Sequence, residues 1–316
     1  MRNAFAASIT ALAAKDDRVV VLSGDIGNRL FDAFKDQHPA RFYNCGVAEA
    51  NMTGMAAGMA MCGLRPFTYT ITPFATTRVM EQIRIDVCYH NLPVTIVGTG
   101  SGLSYASLGP THHSVEDVAF LRALPNMTVV CPADAAEVRV ALAAILKIDG
   151  PVYLRLGKKG EPVVHQEPPA LVIGRGLTLR EGSDVCLLGL GNMVAPALEA
   201  AALLEGRGIS AKVVSMHTVK PLDDDLLRDV LNRFAVVAVV EEHSRIGGLG
   251  SAVAEWAAAE ECRTTARLLS LGTPDFFLPE SGSQRYLRKQ FGLTPDAIAD
   301  AVAHGCQIEK KAEALA

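Results

Sequence analysis

The chain has 316 residues, enough for two domains of ordinary size. It is 49% hydrophobic and 20% charged, which excludes extensive disorder, and a net charge of −4 with no Lys/Arg stripe excludes a nucleic-acid partner. Seven cysteines, at 45, 62, 88, 131, 186, 262 and 306, form no CxxC pair, so neither a zinc ribbon nor a disulfide framework fits and a reducing cytoplasm is expected.

Arg2 ahead of the small apolar stretch Ala4–Ala14 mimics a short signal peptide. Phe5, Ile9 and Leu12, at i, i+4 and i+7, favour an amphipathic helix instead. Residues 19–25 (VVVLSGD) read as a buried strand and 49–61 (EANMTGMAAGMAM) as a helix. A strand at 65–71, a helix from about 75 to 90 and a strand at 93–99 follow. Beyond a long loop come a helix near 115–124, a strand at 127–132, a helix at 133–147 and a strand at 151–157. The longest uncharged stretch, 91–115, is broken by Pro93, Pro110 and repeated glycines, so no membrane span is expected.

Residues 158–182 gather Pro, Gly and charge, as an inter-domain linker does. The pattern then resumes with apolar runs at 184–191, 211–217, 235–243 and 266–272 and helices between them. Apolar strands alternating with helices argue a parallel α/β sheet covered on both faces, here twice, over 1–157 and 183–316.

Few motifs carry chemistry on their own. GLGNMV (189–194) lacks the third glycine of a dinucleotide site, and no acidic residue follows its second strand, so a tight turn is the better reading. GGLG (247–250) reads as another turn into a helix. GMAAG (54–58) suits close helix packing in a soluble core or a subunit interface. His112 and His113 close a Gly-rich loop without metal-ligand spacing. Glu49 opens a very apolar helix: it is either a carboxylate favoured by the helix dipole or a functional acid held in apolar surroundings.

The segments SGDIGNRLFDAF (23–34), RFYNCGVAEANMTGMAAGMAMCGLRPF (41–67), FATTRVMEQIRID (74–86), GLSYASLGPTHHSVEDVAFLRALPNMTVVCPAD (102–134), GPVYLRLG (150–157), VKPLDDDLL (219–227) and VVEEHSRIGGLGSAVAE (239–255) carry a resemblance. Across essentially its whole length the chain resembles the C-terminal half of a transketolase. In particular it is similar to the small subunit of split transketolases, and more distantly to 1-deoxyxylulose 5-phosphate synthases and pyruvate dehydrogenase beta subunits. The resemblance implies a pyrimidine-binding domain for thiamine diphosphate over 1–157, followed by a transketolase C-terminal domain.

The resemblance also implies residue roles. Glu49 matches the glutamate that hydrogen-bonds N1′ of the aminopyrimidine and so assists removal of the thiazolium proton. Phe74 matches the aromatic against the pyrimidine, and Asp25 and Ile26 match positions on the thiazolium side. His112 matches the loop histidine that contacts the donor's oxygens, and Arg155 an arginine holding a phosphate at the channel mouth. No GDG motif is present, so the diphosphate and its Mg²⁺ are expected on a separate N-terminal subunit, within a heterotetramer inactive without it. Three positions depart from ordinary transketolases: Leu108 replaces an aspartate that reads a sugar hydroxyl, Gly100 a phosphate-contacting histidine and Arg29 a serine. The expectation is a transferase that moves a two-carbon ketol unit from an anionic ketose to an aldehyde. The alternatives are a 2-oxoacid dehydrogenase beta subunit passing its unit to a carrier arm, and a non-catalytic regulatory subunit.

Overall fold

The structure, a computed structural model, describes the chain apart from residues 28, 159, 260–263, 278, 280 and 314–316, together with the side chains of 309–313. Cys262 therefore lies outside the described residues; the other six cysteines are free thiols. Burial pushes the Cys88 thiol up to about 11 and that of Cys186 to about 12, as befits small core hydrophobes.

Seven strands form the first sheet: β1 (Val19–Ser23), β2 (Phe42–Asn44), β3 (Arg65–Ile71), β4 (Thr95–Thr99), β5 (Thr128–Val130), β6 (Val152–Leu156) and, from far along the chain, β10 (Thr218–Lys220). Their order is β10-β5-β6-β4-β3-β1-β2. The second sheet has β7 (Leu177–Arg180), β8 (Val185–Gly189), β9 (Ala211–Ser215), β11 (Val236–Ser244) and β12 (Arg267–Thr273), in the order β12-β11-β8-β9-β7. Every residue of β1, β4, β6, β8 and β9 is buried, because helices cover both faces. That is why these strands read as unbroken apolar runs rather than as alternation. The two α/β domains share one apolar core, which runs from Leu22 and Ile96 through Tyr153 to Leu188, Phe234 and Leu249.

The sheets are mixed where the sequence suggests purely parallel ones. β10 pairs antiparallel with β5, and β7 antiparallel with β9, each at a sheet edge. β7 lies within the stretch read as linker, where Pro, Gly and charge mask a short edge strand. Upstream, the linker is tied down as well. Asp134 caps the helix Ala135–Ile145 and also accepts the backbone N–H groups of Val164 (2.8 Å) and His165 (2.9 Å).

The continuous helix expected at 75–90 is broken. A turn over Thr72–Ala75 stops at Thr76, whose φ and ψ of −123° and −83° lie outside the helical region, and a π-helical turn closes the segment at Ile83–Tyr89. The helix near 115–124 shortens to Asp117–Arg122. No helix among the described residues is long and apolar enough to cross a membrane.

Candidate active site

Most of the groups expected at the site, and two that were not, Arg78 and Lys158, follow the carboxyl ends of strands in the first sheet. Gly24 and Asp25 follow β1, Glu49 follows β2, Phe74 and Arg78 follow β3, the loop 100–114 follows β4 and Lys158 follows β6. Open α/β sheets bind ligands at this edge, where loops diverge around a crevice.

Glu49 begins the helix Glu49–Met61, with its side chain only 4% exposed. Both carboxylate oxygens accept from Arg78 Nη1 at 3.1 Å. The Arg78 guanidinium lies 4.0 Å from the Phe74 ring centroid, in cation–π contact. Phe74 in turn meets the His112 ring edge to face at 5.3 Å, and His112 lies 6.0 Å from the Tyr105 ring. Lys158 Nζ sits 4.2 Å over Tyr105. Glu49, Phe74 and His112, far apart in sequence, are thus linked through direct side-chain contacts.

Gly24 packs behind the acid. A Cβ there would stand 3.1 Å from Thr70 and 3.5 Å from Glu49 Cγ, so glycine lets the end of β1 approach the carboxylate. Asp25 adopts a left-handed φ of 57° and accepts a 2.9 Å bond from Asn44 Nδ2. That conformation is tolerated by Asp and is concentrated at functional loops. Ile26 accepts Ser23 Oγ through its carbonyl at 2.7 Å and packs partly against the aromatic core of Phe5, Phe31 and Tyr69.

Arg155 is not at a channel mouth. It is 3% exposed, and its Nε donates to Asp117 Oδ2 at 2.7 Å. Its Nη2 donates to Asp117 Oδ1, Ser114 O and Glu242 O, each at 3.1 Å. Burial alone would raise the Asp117 carboxyl, but Arg155 outweighs it and holds the group below the usual range. The pair works as an internal pin rather than as an anion receptor. Arg29 stands apart too, lining a surface pocket of about 530 Å³ with Asn3, Thr10 and Gln37. Leu108 is half exposed at the tip of the 100–114 loop, on the turn Ala106–Leu108.

The glycine at position 100 has a structural explanation. Its φ is +75°, and a Cβ there would collide with the Tyr105 ring. Tyr105, with Lys158 on its face, fills the space that a side chain at 100 would need. Tyr105, Lys158 and Arg78 escape the sequence reading. The available signals were position just past a strand for Lys158 and one turn beyond Phe74 for Arg78. Of the two readings of GMAAG, the structure leaves the subunit interface open: among the described residues a Cβ at Gly58 would meet nothing within 4 Å, and at Gly54 only Asp86 Oδ2 at 3.9 Å.

The donor set suits an aminopyrimidine. Arg78, with its side chain 46% exposed, places a planar nitrogen-rich cation on the buried Glu49 carboxylate and beside the Phe74 face. A planar heterocycle with ring and exocyclic nitrogens could make the same two contacts once Arg78 moves aside. Among the described residues, no three His, Cys, Asp or Glu side chains gather as a metal site.

Two family models match the chain: transketolase, pyrimidine binding domain, over residues 1–161, and transketolase, C-terminal domain, over 174–298. The chain is 43% identical over 303 residues to a 6-deoxy-6-sulfo-D-fructose transketolase subunit, SqwH, of Clostridium sp. strain MSTE9, covering 95% of this chain and 92% of that one. It is 35% identical over 299 residues to an apulose-4-phosphate transketolase subunit of Phocaeicola vulgatus, covering 94% of each. Among solved structures it matches a split gene transketolase, described as an inactive beta4 tetramer, with TM-score 0.88, 38% identity and 98% of both chains covered.

Proposed function

Because the chain belongs to the transketolase family, we propose that it is the pyrimidine-binding subunit of a split enzyme that moves a two-carbon ketol unit from an anionic ketose to an aldehyde. The observation that carries this reading is the buried Glu49 carboxylate in contact, through Arg78 and Phe74, with the edge of His112. Thiamine diphosphate, when bound, supplies the carbon nucleophile and the electron sink for the transferred unit. Glu49 holds the proton at the pyrimidine N1′, and Phe74 and Ile26 give the rings an apolar wall. Asp25 stands at the thiazolium side. His112, with Nδ1 3.0 Å from Thr111 Oγ1, is oriented to bind the donor's oxygens and to move a proton at its hydroxyl. The diphosphate and its divalent ion fall to an N-terminal partner subunit, in a heterotetramer whose site forms between chains.

The substrate's anion is met by Lys158 rather than by Arg155 or a residue at position 100. Lys158 is half buried at the end of β6 and held on the Tyr105 ring beside His112. The sulfonated and phosphorylated sugars in the names of the two relatives are the classes this lysine would serve. In the assembled enzyme, Lys158→Met should raise the donor KM about tenfold or more, with a much smaller change in kcat, since one charge-assisted contact is lost. An unchanged KM for both sulfonated and phosphorylated donors would remove Lys158 from the site.

A further inference from the structure

The loop that carries Tyr105, Leu108 and His112 is closed at its neck and held there from the second domain. Gly102 and Ser114 exchange two backbone hydrogen bonds of 2.9 Å, so residues 102–114 leave and re-enter at nearly one point. Glu242, on β11 and fully buried, reaches that point. Its Oε1 accepts the Leu103 N–H at 2.6 Å. Gly102 lies flat against it: a Cβ there would stand 2.5 Å from Glu242 Oε1 and 2.8 Å from its backbone oxygen. That backbone oxygen accepts from Arg155 Nη2, which also donates to Ser114 O on the other strand of the neck. Glu242 therefore holds one end of the loop directly and meets the other through Arg155.

The rest of the Glu242 carboxylate is held rigidly. Gln284 Nε2 donates to its two oxygens at 2.8 and 3.1 Å and lies 3.5 Å from Ser104 Oγ. Arg288 Nε pairs with Oε2, and Asn192 Nδ2 lies 3.4 Å from Oε1. Leu103 and Ala106 pack against Leu287 and Phe291 behind them. A buried carboxylate is costly unless fully paired, and apolar side chains would join two domains at least as well. A charge aimed at a backbone N–H adds direction: charge-assisted bonds are short and fix geometry.

We propose that Glu242 is a positioning residue that clamps the neck of the 102–114 loop and so sets where His112 meets the donor. The proposal rests on the function read above, and its test has an arm that does not need turnover. Amide hydrogen exchange of the full chain reads the clamp: Glu242→Ala should speed exchange across 102–114 at least about tenfold, with the β3 and β4 amides unchanged. Gly102→Ala, which pushes the neck off Glu242 from the other side and also strains the residue's φ of +61°, should do the same, and Glu242→Gln serves if Glu242→Ala fails to fold. In the assembled enzyme, Glu242→Ala and Gly102→Ala should both lower donor kcat/KM roughly ten- to hundredfold and leave thiamine diphosphate affinity unchanged, because only the donor side is displaced. Glu242→Gln, whose amide oxygen still accepts the Leu103 N–H but whose NH2 group faces the Arg288 and Gln284 donors, should recover part of both losses. Loop exchange unchanged in Glu242→Ala and Gly102→Ala overturns the clamp. A loosened loop with unaltered donor kinetics overturns the positioning role. Wild-type enzyme without ketol transfer would overturn the functional reading beneath it, while the exchange arm still decides the clamp.

Discussion

Glu49 and Leu108, both assigned to the site by resemblance, stand in opposite surroundings. Glu49 is sealed from water and committed to a nitrogen donor, whereas Leu108 is 51% exposed at the loop tip, on the loop that carries His112. Leucine cannot accept a hydrogen bond, so in the proposed reaction an acceptor aldehyde with a 2-hydroxyl would gain nothing from it. Leu108→Asp should therefore shift kcat/KM toward glyceraldehyde phosphate over its 2-deoxy analogue by about three- to tenfold, the worth of one hydrogen bond. Paired steady-state kinetics on the two aldehydes check this, and an unmoved ratio would place Leu108 outside the channel. The meeting of Glu49, Phe74 and His112 was legible in the sequence only through the family resemblance that assigned all three to one site. Arg155 was not: its partner Asp117 is 38 residues away, and the Glu242 carbonyl 87. A strand-end arginine reads the same whether it faces a channel or an internal carboxylate. Tyr105 filling the space over Gly100 was equally hidden, since it depends on a loop folding back on itself.

At the scale of elements, β6 and the helix Asp117–Arg122 are joined by a buried ion pair rather than by apolar packing alone. The Tyr153 hydroxyl also donates to Asp117, so the carboxylate serves a phenol and a guanidinium from one strand. Arg155→Met would leave Asp117 charged and buried, and should cost about 3–5 kcal/mol in denaturant unfolding. Pairing it with Asp117→Asn should restore part of that loss. A loss below about 1 kcal/mol, with a raised KM for phosphorylated donors, would return Arg155 to substrate binding. The main strands and most helices followed from apolar runs and helical spacing. Their missed partners, β2, β7 and β10, are three or four residues long, too short for a period to declare itself. The break at Thr76 was hidden for a different reason. Thr76 and Thr72 are both buried: the Thr76 hydroxyl bonds the Thr72 carbonyl at 2.7 Å, and the Thr72 hydroxyl bonds the Thr99 carbonyl of β4 at 3.1 Å, a tertiary tie that periodicity does not show.

Across the whole molecule, Glu242 and His243 join the two domains, and Glu241 beside them ties β11 to the helix Leu249–Ala259 of its own domain. Glu241 accepts the Leu249 and Gly250 N–H groups at 2.8 and 2.9 Å, Glu242 holds the loop neck, and His243 Nε2 accepts the Ala119 N–H at 3.3 Å. Arg122 adds two bonds to Glu255, of 2.8 and 2.6 Å, and β10 extends the first sheet from the second half of the chain. Burial pushes His243 down to about 4. Because the unfolded imidazole takes up its proton near 6.5, the stability held by neutral His243 is full above that pH and lost as pH falls toward 4. Glu241, raised by burial to about 7, acts with the opposite sign, losing stability as pH rises from about 4.5. His243→Gln keeps an acceptor for Ala119 and retains Glu241, so the difference isolates the histidine. Between pH 6 and 4.5 the wild type should lose about 1 kcal/mol per pH unit more than the variant, and equal slopes would show that His243 takes up its proton at the same pH in the folded and unfolded chain. The proposed role of Glu49, as the acid of a site completed by another chain, is measured most directly by ketol transfer by this chain co-purified with a diphosphate-binding transketolase subunit, thiamine diphosphate and Mg²⁺, using wild type and Glu49→Gln. The expected result is turnover in the wild-type complex, none in the chain alone, and a loss of about 10²–10⁴-fold in Glu49→Gln with cofactor still bound. Full activity of the Glu49→Gln complex, or turnover by the isolated chain, would contradict the account.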